Sequence, residues 1–132
     1  MAHDAGADFI VTPHLNLTLM NAAQQQRIPI IPGCYTPSEM QAAHEAGATA
    51  IKLFPVSTLA PSYIKAVLAP LPHLHIIAVG GVNQDNAKAY LDSGAMAVGV
   101  GTQLFGEGDF ADKNVRERVT QSVQGLLARC GC

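Results

Sequence analysis

The segment Ala46-Gly47-Ala48-Thr49-Ala50-Ile51-Lys52-Leu53-Phe54-Pro55 leads from the end of one helical stretch, Pro37 to Glu45, into one apolar run, Ala50 to Phe54. The run is too short for a helix and reads as a buried strand. Gly47 stands where the helix must stop, because glycine accepts the left-handed conformation that commonly closes a helix. The same joint recurs on either side, as Ala5-Gly6-Ala7 and as Ser93-Gly94-Ala95. Further short apolar runs follow the same pattern: Phe9 to Val11, Ile28 to Ile31, His75 to Val79 and Ala95 to Val100. Between the runs, Leu15 to Gln25, Pro37 to Glu45, Pro61 to Leu68 and Asn83 to Leu91 carry apolar residues at helical spacing. Alternating strands and helices with almost wholly apolar strands predict an α/β fold with a parallel sheet. The repeated helix–glycine–strand joint favours a quasi-repetitive barrel over an open doubly wound sheet. Residues 106–114 are polar and turn-rich, and a helical pattern resumes from Val115 to Leu127. The 132 residues are expected to form a single domain, with residues 106–132 as its loop and C-terminal helix. A closed barrel of the TIM type needs eight strands in roughly 250 residues. Five runs are therefore expected to be about five βα units of such a barrel.

In a parallel barrel the chemistry sits at the C-terminal ends of the strands. Those ends differ here: Thr12-Pro13-His14, Pro32-Gly33-Cys34, Phe54-Pro55, Gly80-Gly81 and Gly99-Val100-Gly101-Thr102. Lys52 is the most informative residue. Burial in a strand disfavours the charged ammonium, and a neutral amine can attack a ketone to form an iminium. The bland alternative is a lysine snorkelling from an edge strand or paired with a carboxylate. Lys65 and Lys88 lie in helical stretches among polar neighbours and are expected on solvated faces. Gly80-Gly81, followed by Val82-Asn83 and a helix, and Gly99-Val100-Gly101-Thr102 would let the backbone approach an anion. Two such ends on the last two strands match the phosphate site common among barrels.

Pro32-Gly33-Cys34-Tyr35-Thr36-Pro37 reads as a turn entering a helix. Thr36 is the expected N-cap, Pro37 the first helical residue and Glu39 the capping-box partner. This local role leaves no reason to assign catalysis to Thr36 or Glu39. Cys34 is expected near the mouth as a small core-edge residue, since no base stands beside it. His14 is expected to be a loop histidine without further role.

Composition narrows the classes. Hydrophobic residues make up 48% and charged residues 14%, with a formal net charge of −2. No basic stripe for nucleic acid is expected. No apolar run is long enough to span a bilayer, and the first residues lack the basic and apolar regions of a signal peptide. The three cysteines, Cys34, Cys130 and Cys132, have no framework spacing, so a reducing cytoplasm is expected. Cys130 and Cys132 form a C-x-C tail, but structural zinc takes about four ligands, and no metal site is expected.

With these residues in view, Ile51-Lys52-Leu53-Phe54-Pro55 resembles the Schiff-base strand of the class I aldolases that cleave 2-keto-3-deoxy-6-phosphogluconate and its galactonate epimer. Ile10-Val11-Thr12-Pro13, Ile31-Pro32-Gly33-Cys34 and Ala78-Val79-Gly80-Gly81-Val82 resemble the same family in the same order. The resemblance runs from about Ala5 to Phe105. Val56-Ser57 and the stretch Ala60-Pro61-Ser62-Tyr63-Ile64-Lys65-Ala66 resemble the galactonate branch more closely. The resemblance implies a (β/α)₈ barrel, assembled as a homotrimer, that takes a phosphorylated keto-acid sugar as substrate and releases pyruvate and glyceraldehyde 3-phosphate. It implies that Lys52 carries the imine with pyruvate, and that Gly80, Gly81, Gly101 and Thr102 hold the substrate phosphate. Pro13 and Phe54 would line the pyruvate pocket and Val79 would border it. No cofactor or metal is implied, because the iminium is itself the electron sink.

The family's general acid/base glutamate and its carboxylate-gripping arginine belong to the first three βα units, and this sequence begins at the family's fourth strand. The chain alone is therefore expected to be inactive or dependent on a partner. A non-catalytic phosphate-ligand-binding fragment is the alternative. A thiamin-phosphate-synthase-like or epimerase-like barrel is a third reading, against which Lys52-Leu53-Phe54-Pro55 argues.

Overall fold

A computed structural model describes residues 6–101, 104 and 111–131. In chain order the elements are β1 (Ile10–Val11), α1 (Leu17–Gln25), β2 (Ile30–Ile31), β3 (Gly33–Cys34), α2 (Pro37–Glu45), β4 (Ile51–Leu53), α3 (Ser62–Leu68), β5 (Ile76–Val79), α4 (Ala87–Asp92), β6 (Ala97–Gly99) and α5 (Lys113–Cys130). All pairings are parallel, β1 with β2 and then β3–β4–β5–β6. Each strand thus lies beside its neighbour in sequence. An open doubly wound sheet would reverse its order at a switch point, and the described strands contain no such reversal. They form an arc of parallel strands, as expected for consecutive βα units.

One boundary differs from the sequence expectation. The second strand does not stop at Ile31. Its run continues as β3 through Gly33–Cys34, which the sequence predicts as part of a turn, and pairs with Lys52–Leu53. Pro32 interrupts the ladder because it has no N–H to donate, yet it stays extended. Its carbonyl accepts the Lys52 amide at 2.9 Å, and the Ile30 carbonyl accepts the Thr49 amide at 3.2 Å.

The helices cover one face of this arc. Ile30, Cys34, Ile51, Leu53, Ile76 and Ala78 pack there with Met20, Met40, Ile64, Val67 and Tyr90 in one buried cluster. Alternation along the strands sends the intervening side chains to the opposite face. Gly33, Lys52, Ile77 and Ala97 are register partners across that second face. Fully burying a large aliphatic side chain stabilises by about 1.5–3 kcal/mol, so the helix-covered face carries most of the stability.

Helix α2 starts as the sequence predicts. The Glu39 amide donates to the Thr36 hydroxyl at 3.3 Å, and the Glu39 carboxylate accepts the Thr36 amide at 2.8 Å and the Tyr35 amide at 3.0 Å. The Thr36 hydroxyl and these amides hold the Glu39 carboxyl below the usual carboxylate range. A depressed folded-state value makes the contribution to stability complete above the ordinary carboxylate value and lost as pH falls through the folded one. Glu39→Gln is therefore expected to be less stable than the parent near pH 7, with the gap closing toward about pH 3. Urea unfolding at the two pH values measures it, and a gap unchanged with pH would contradict the assignment.

Candidate active site

Lys52 sits in the middle of β4, between Gly33 of β3 and Ile77 of β5. It is half-buried, on the face that the helices leave free. Its Nζ lies 4.4 Å from the centroid of the Phe54 ring, a distance at which the ring attracts an ammonium. Among the described residues no carboxylate is ion-paired or hydrogen-bonded to it. Among the described residues the carboxylate-paired alternative finds no partner, and β4 is not an edge strand, since it is flanked on both sides. Lys65 and Lys88 are exposed as expected, and Lys88 pairs with Asp92 at 2.7 Å.

Three glycines let other segments close on this lysine. A Cβ on Gly33 would stand 2.3 Å from the Pro13 carbonyl oxygen, so the Thr12–His14 backbone crosses directly over β3 beside Lys52. A Cβ on Gly80 would meet two Phe54 ring carbons at 2.8 Å, and one on Gly81 would meet the Ser57 Cβ at 2.6 Å. Gly80 and Gly81 both have positive φ, 87° and 95°, which other residues adopt only with strain. Pro13, Phe54, Gly80 and Gly81 are thus gathered around the Lys52 strand end. Val79 follows Ile77 on the same side of β5 and is half-buried there, against Gly99 of β6. Gly101 is exposed, and among the described residues nothing lies within 4 Å of where a Cβ would be. Thr102 lies outside the described residues, as do Phe105 and Cys132.

The helix expected to begin at Asn83 begins instead at Ala87. The Asn83 side chain accepts the amides of Asp85 at 2.9 Å and Asn86 at 3.1 Å, and Asn86 accepts the Asn83 amide at 2.8 Å. Asparagine side chains compete for backbone amides in this way and hold a turn against helix. Asn86 also donates to the Gly81 carbonyl at 3.0 Å. A helix N-terminus therefore does not abut the glycine pair. Among the described residues, however, no acceptor takes the amides of Gly81 and Val82. An anion there would meet backbone donors from the loop itself.

Tyr90 and Tyr35 bond to the loop that follows β4, and Tyr63 bonds to Tyr35, an arrangement that no local sequence pattern signals. The hydroxyl of Tyr90, a buried residue of α4, donates to the Val56 carbonyl at 3.0 Å and the Leu59 carbonyl at 3.2 Å. Tyr35 and Thr58 share a hydroxyl–hydroxyl hydrogen bond of 3.0 Å, and Tyr63 donates to the Tyr35 carbonyl at 2.9 Å. Burial pushes the Tyr90 hydroxyl up. Burial and then the neighbouring Tyr35 and Glu39 push Tyr63 up. Both therefore remain donors at neutral pH. These partners lie 23 to 34 residues apart, which no local pattern signals.

Cys34 faces the helices rather than the mouth and is 3% exposed. Desolvation, with a smaller contribution from Glu39, pushes its thiol to about 12, so no thiolate nucleophile is available. His14 is exposed in its loop.

Residues 1–122 match the family model of the KDPG and KHG aldolases. The chain belongs to that aldolase family. It is 36% identical over 113 residues to the 2-dehydro-3-deoxy-6-phosphogalactonate aldolase of Escherichia coli (strain K12), covering 85% of this chain and 55% of the relative. It is 39% identical over 129 residues to a probable 2-dehydro-3-deoxy-6-phosphogalactonate aldolase of Rhizobium meliloti (strain 1021), covering 97% and 60%. A solved structure described as "Native KDPGal structure" superposes with a TM-score of 0.84 at 35% identity, over 96% of this chain and 59% of that one. The chain thus spans a little over half the length of the curated relatives it matches. Among its described residues no helix is long and apolar enough to cross a membrane.

Proposed function

We propose that these residues carry the imine-forming and phosphate-binding part of a class I aldolase. Its substrate would be 2-keto-3-deoxy-6-phosphogalactonate or the gluconate epimer, and its products pyruvate and glyceraldehyde 3-phosphate. The observation that carries the reading is the Lys52 amine on β4, 4.4 Å from the Phe54 ring and without a carboxylate partner among the described residues. The Nζ lone pair adds to the C2 ketone, and loss of water leaves an iminium. The C4 hydroxyl gives up its proton, the C3–C4 bond breaks, and its electron pair flows into the iminium as an enamine. Glyceraldehyde 3-phosphate departs. Protonation at C3 and hydrolysis then release pyruvate and restore the amine. Pro13, Phe54 and Val79 would border the pyruvate methyl group. The Gly81 and Val82 amides, with Gly80, Gly101 and Thr102, would take the phosphate at the far end.

Among the described residues no carboxylate is ion-paired or hydrogen-bonded to Lys52, and general acid–base help contributes about two to four orders of magnitude. These 132 residues alone are therefore proposed to form the imine while turning over slowly. The same observation is what favours the second reading, a phosphate-ligand-binding fragment without catalysis. Family membership supports a homotrimeric assembly and a cytoplasmic setting as parts of the same proposal.

Borohydride reduction in the presence of pyruvate, followed by peptide mass spectrometry, tests the reading. A reduced pyruvyl adduct on Lys52 is expected. A folded sample that carries no adduct would replace the aldolase reading with the binding-fragment one.

A further inference from the structure

We infer that helix α5 positions the phosphate loop, and that Gln84 is the positioning residue through which it acts. The inference rests on the phosphate-binding reading of Gly80–Val82. Two consecutive glycines with positive φ leave that loop conformationally permissive, so something beyond it must select one arrangement. Its inner side is tied by Asn83 and Asn86, which close the turn on itself and onto the Gly81 carbonyl. Its outer side is held from α5, more than thirty residues further along the chain.

The grip on Gln84 has two parts. Its Nε2 donates to the Ser122 carbonyl at 3.0 Å. Its Oε1 occupies the room that Gly125 leaves, since a Cβ there would stand 3.2 Å away. Glycine is unfavourable inside a helix, and here it opens the seat for the Gln84 amide. Arg129 adds a longer contact from Nη1 to the Gln84 carbonyl at 3.4 Å, and an ion pair with Asp85. Asp85 is 84% exposed and Arg129 54%, so that ion pair is screened and secondary. The half-buried Gln84 seat is the stronger link. From it the connection runs through Asn83 and Asn86 to the amides of Gly81 and Val82, the donors that would meet a phosphate on the proposed reading.

Two variants separate positioning from plain stability. Gln84→Ala removes the hydrogen bond. Gly125→Leu replaces glycine with a strong helix former while wedging against Gln84. The whole chain is titrated with inorganic phosphate and followed by the amide NMR signals of Gly81 and Val82, and pyruvate trapping on Lys52 is measured alongside. Both variants are expected to bind phosphate about three- to tenfold more weakly, the scale of one net hydrogen bond. Adduct yield is expected to stay unchanged, and the melting temperature of Gly125→Leu to be at least that of the parent. Parental affinity in both variants would overturn the inference while leaving the phosphate site intact. Weaker binding accompanied by a lower melting temperature and lower adduct yield in both would reduce Gln84 to general stabilisation and also overturn it. If phosphate leaves the Gly81 and Val82 signals of the parent chain unmoved, the phosphate-site reading itself falls, and the inference falls with it.

Discussion

In Lys52→Met, pyruvate and borohydride are expected to leave the protein unlabelled, and whatever aldol cleavage the chain supports is expected to fall by at least about 10³-fold. Removing a nucleophile disables the whole unit that works through it, which is why such losses reach several orders of magnitude. Methionine keeps an unbranched apolar stem against the Phe54 ring and deletes only the amine. The residue is half-buried on β4 with no ion-pair partner to strand among the described residues, so the fold should not suffer. Near-parental melting with no adduct is the expected pair of results. An adduct that persists in the variant, on Lys65 or Lys88, would show that trapping reports surface amines and would remove the case for Lys52.

Gly33→Ala is expected to destabilise the chain by about 1–3 kcal/mol, toward the upper end of what overpacking costs. The added methyl would stand 2.3 Å from the Pro13 carbonyl oxygen, 2.4 Å from its carbon and 2.8 Å from the His14 nitrogen. All three are backbone atoms, so no side chain can rotate away. Either β3 or the Thr12–His14 segment must shift by about 1 Å, and the shift opens the wall beside Lys52. Pyruvate trapping should therefore fall together with the urea midpoint. Gly101→Ala is the matched control, since among the described residues nothing lies within 4 Å of its added methyl. Equal stability of the two variants would mean that the Pro13 segment does not close over Gly33.

What was legible in the sequence was whatever depends on neighbours a few residues apart. The Thr36–Glu39 capping box is an i to i+3 exchange and was readable from four letters. The glycine joints were equally local, and Gly47 and Gly94 carry the expected positive φ of 81° and 102°. The Asn83–Asn86 turn is also local, yet the spacing reads as helix from Asn83, because side chains that capture their own backbone amides leave the apolar spacing unchanged. The sequence reads Pro32-Gly33-Cys34 as a turn, whereas Gly33–Cys34 continues the strand. A missing N–H breaks one ladder bond without bending the chain, and whether the strand continues depends on the partner that β4 supplies.

The sequence by itself determined the parallel α/β class, the order of strands and helices, the family and the identity of Lys52 as the residue to question, since each follows from periodicity, local propensity and motif. Only the tertiary structure decided what surrounds that lysine. Strand register places Gly33 and Ile77 beside it, and the absence of side chains at Gly33, Gly80 and Gly81 lets Pro13, Phe54 and Ser57 close in. The tyrosine ties to the loop after β4 and the Gln84 seat on α5 arise the same way. These are contacts between residues far apart in the chain, made close by packing, and packing is a property of the whole folded core rather than of any segment of sequence.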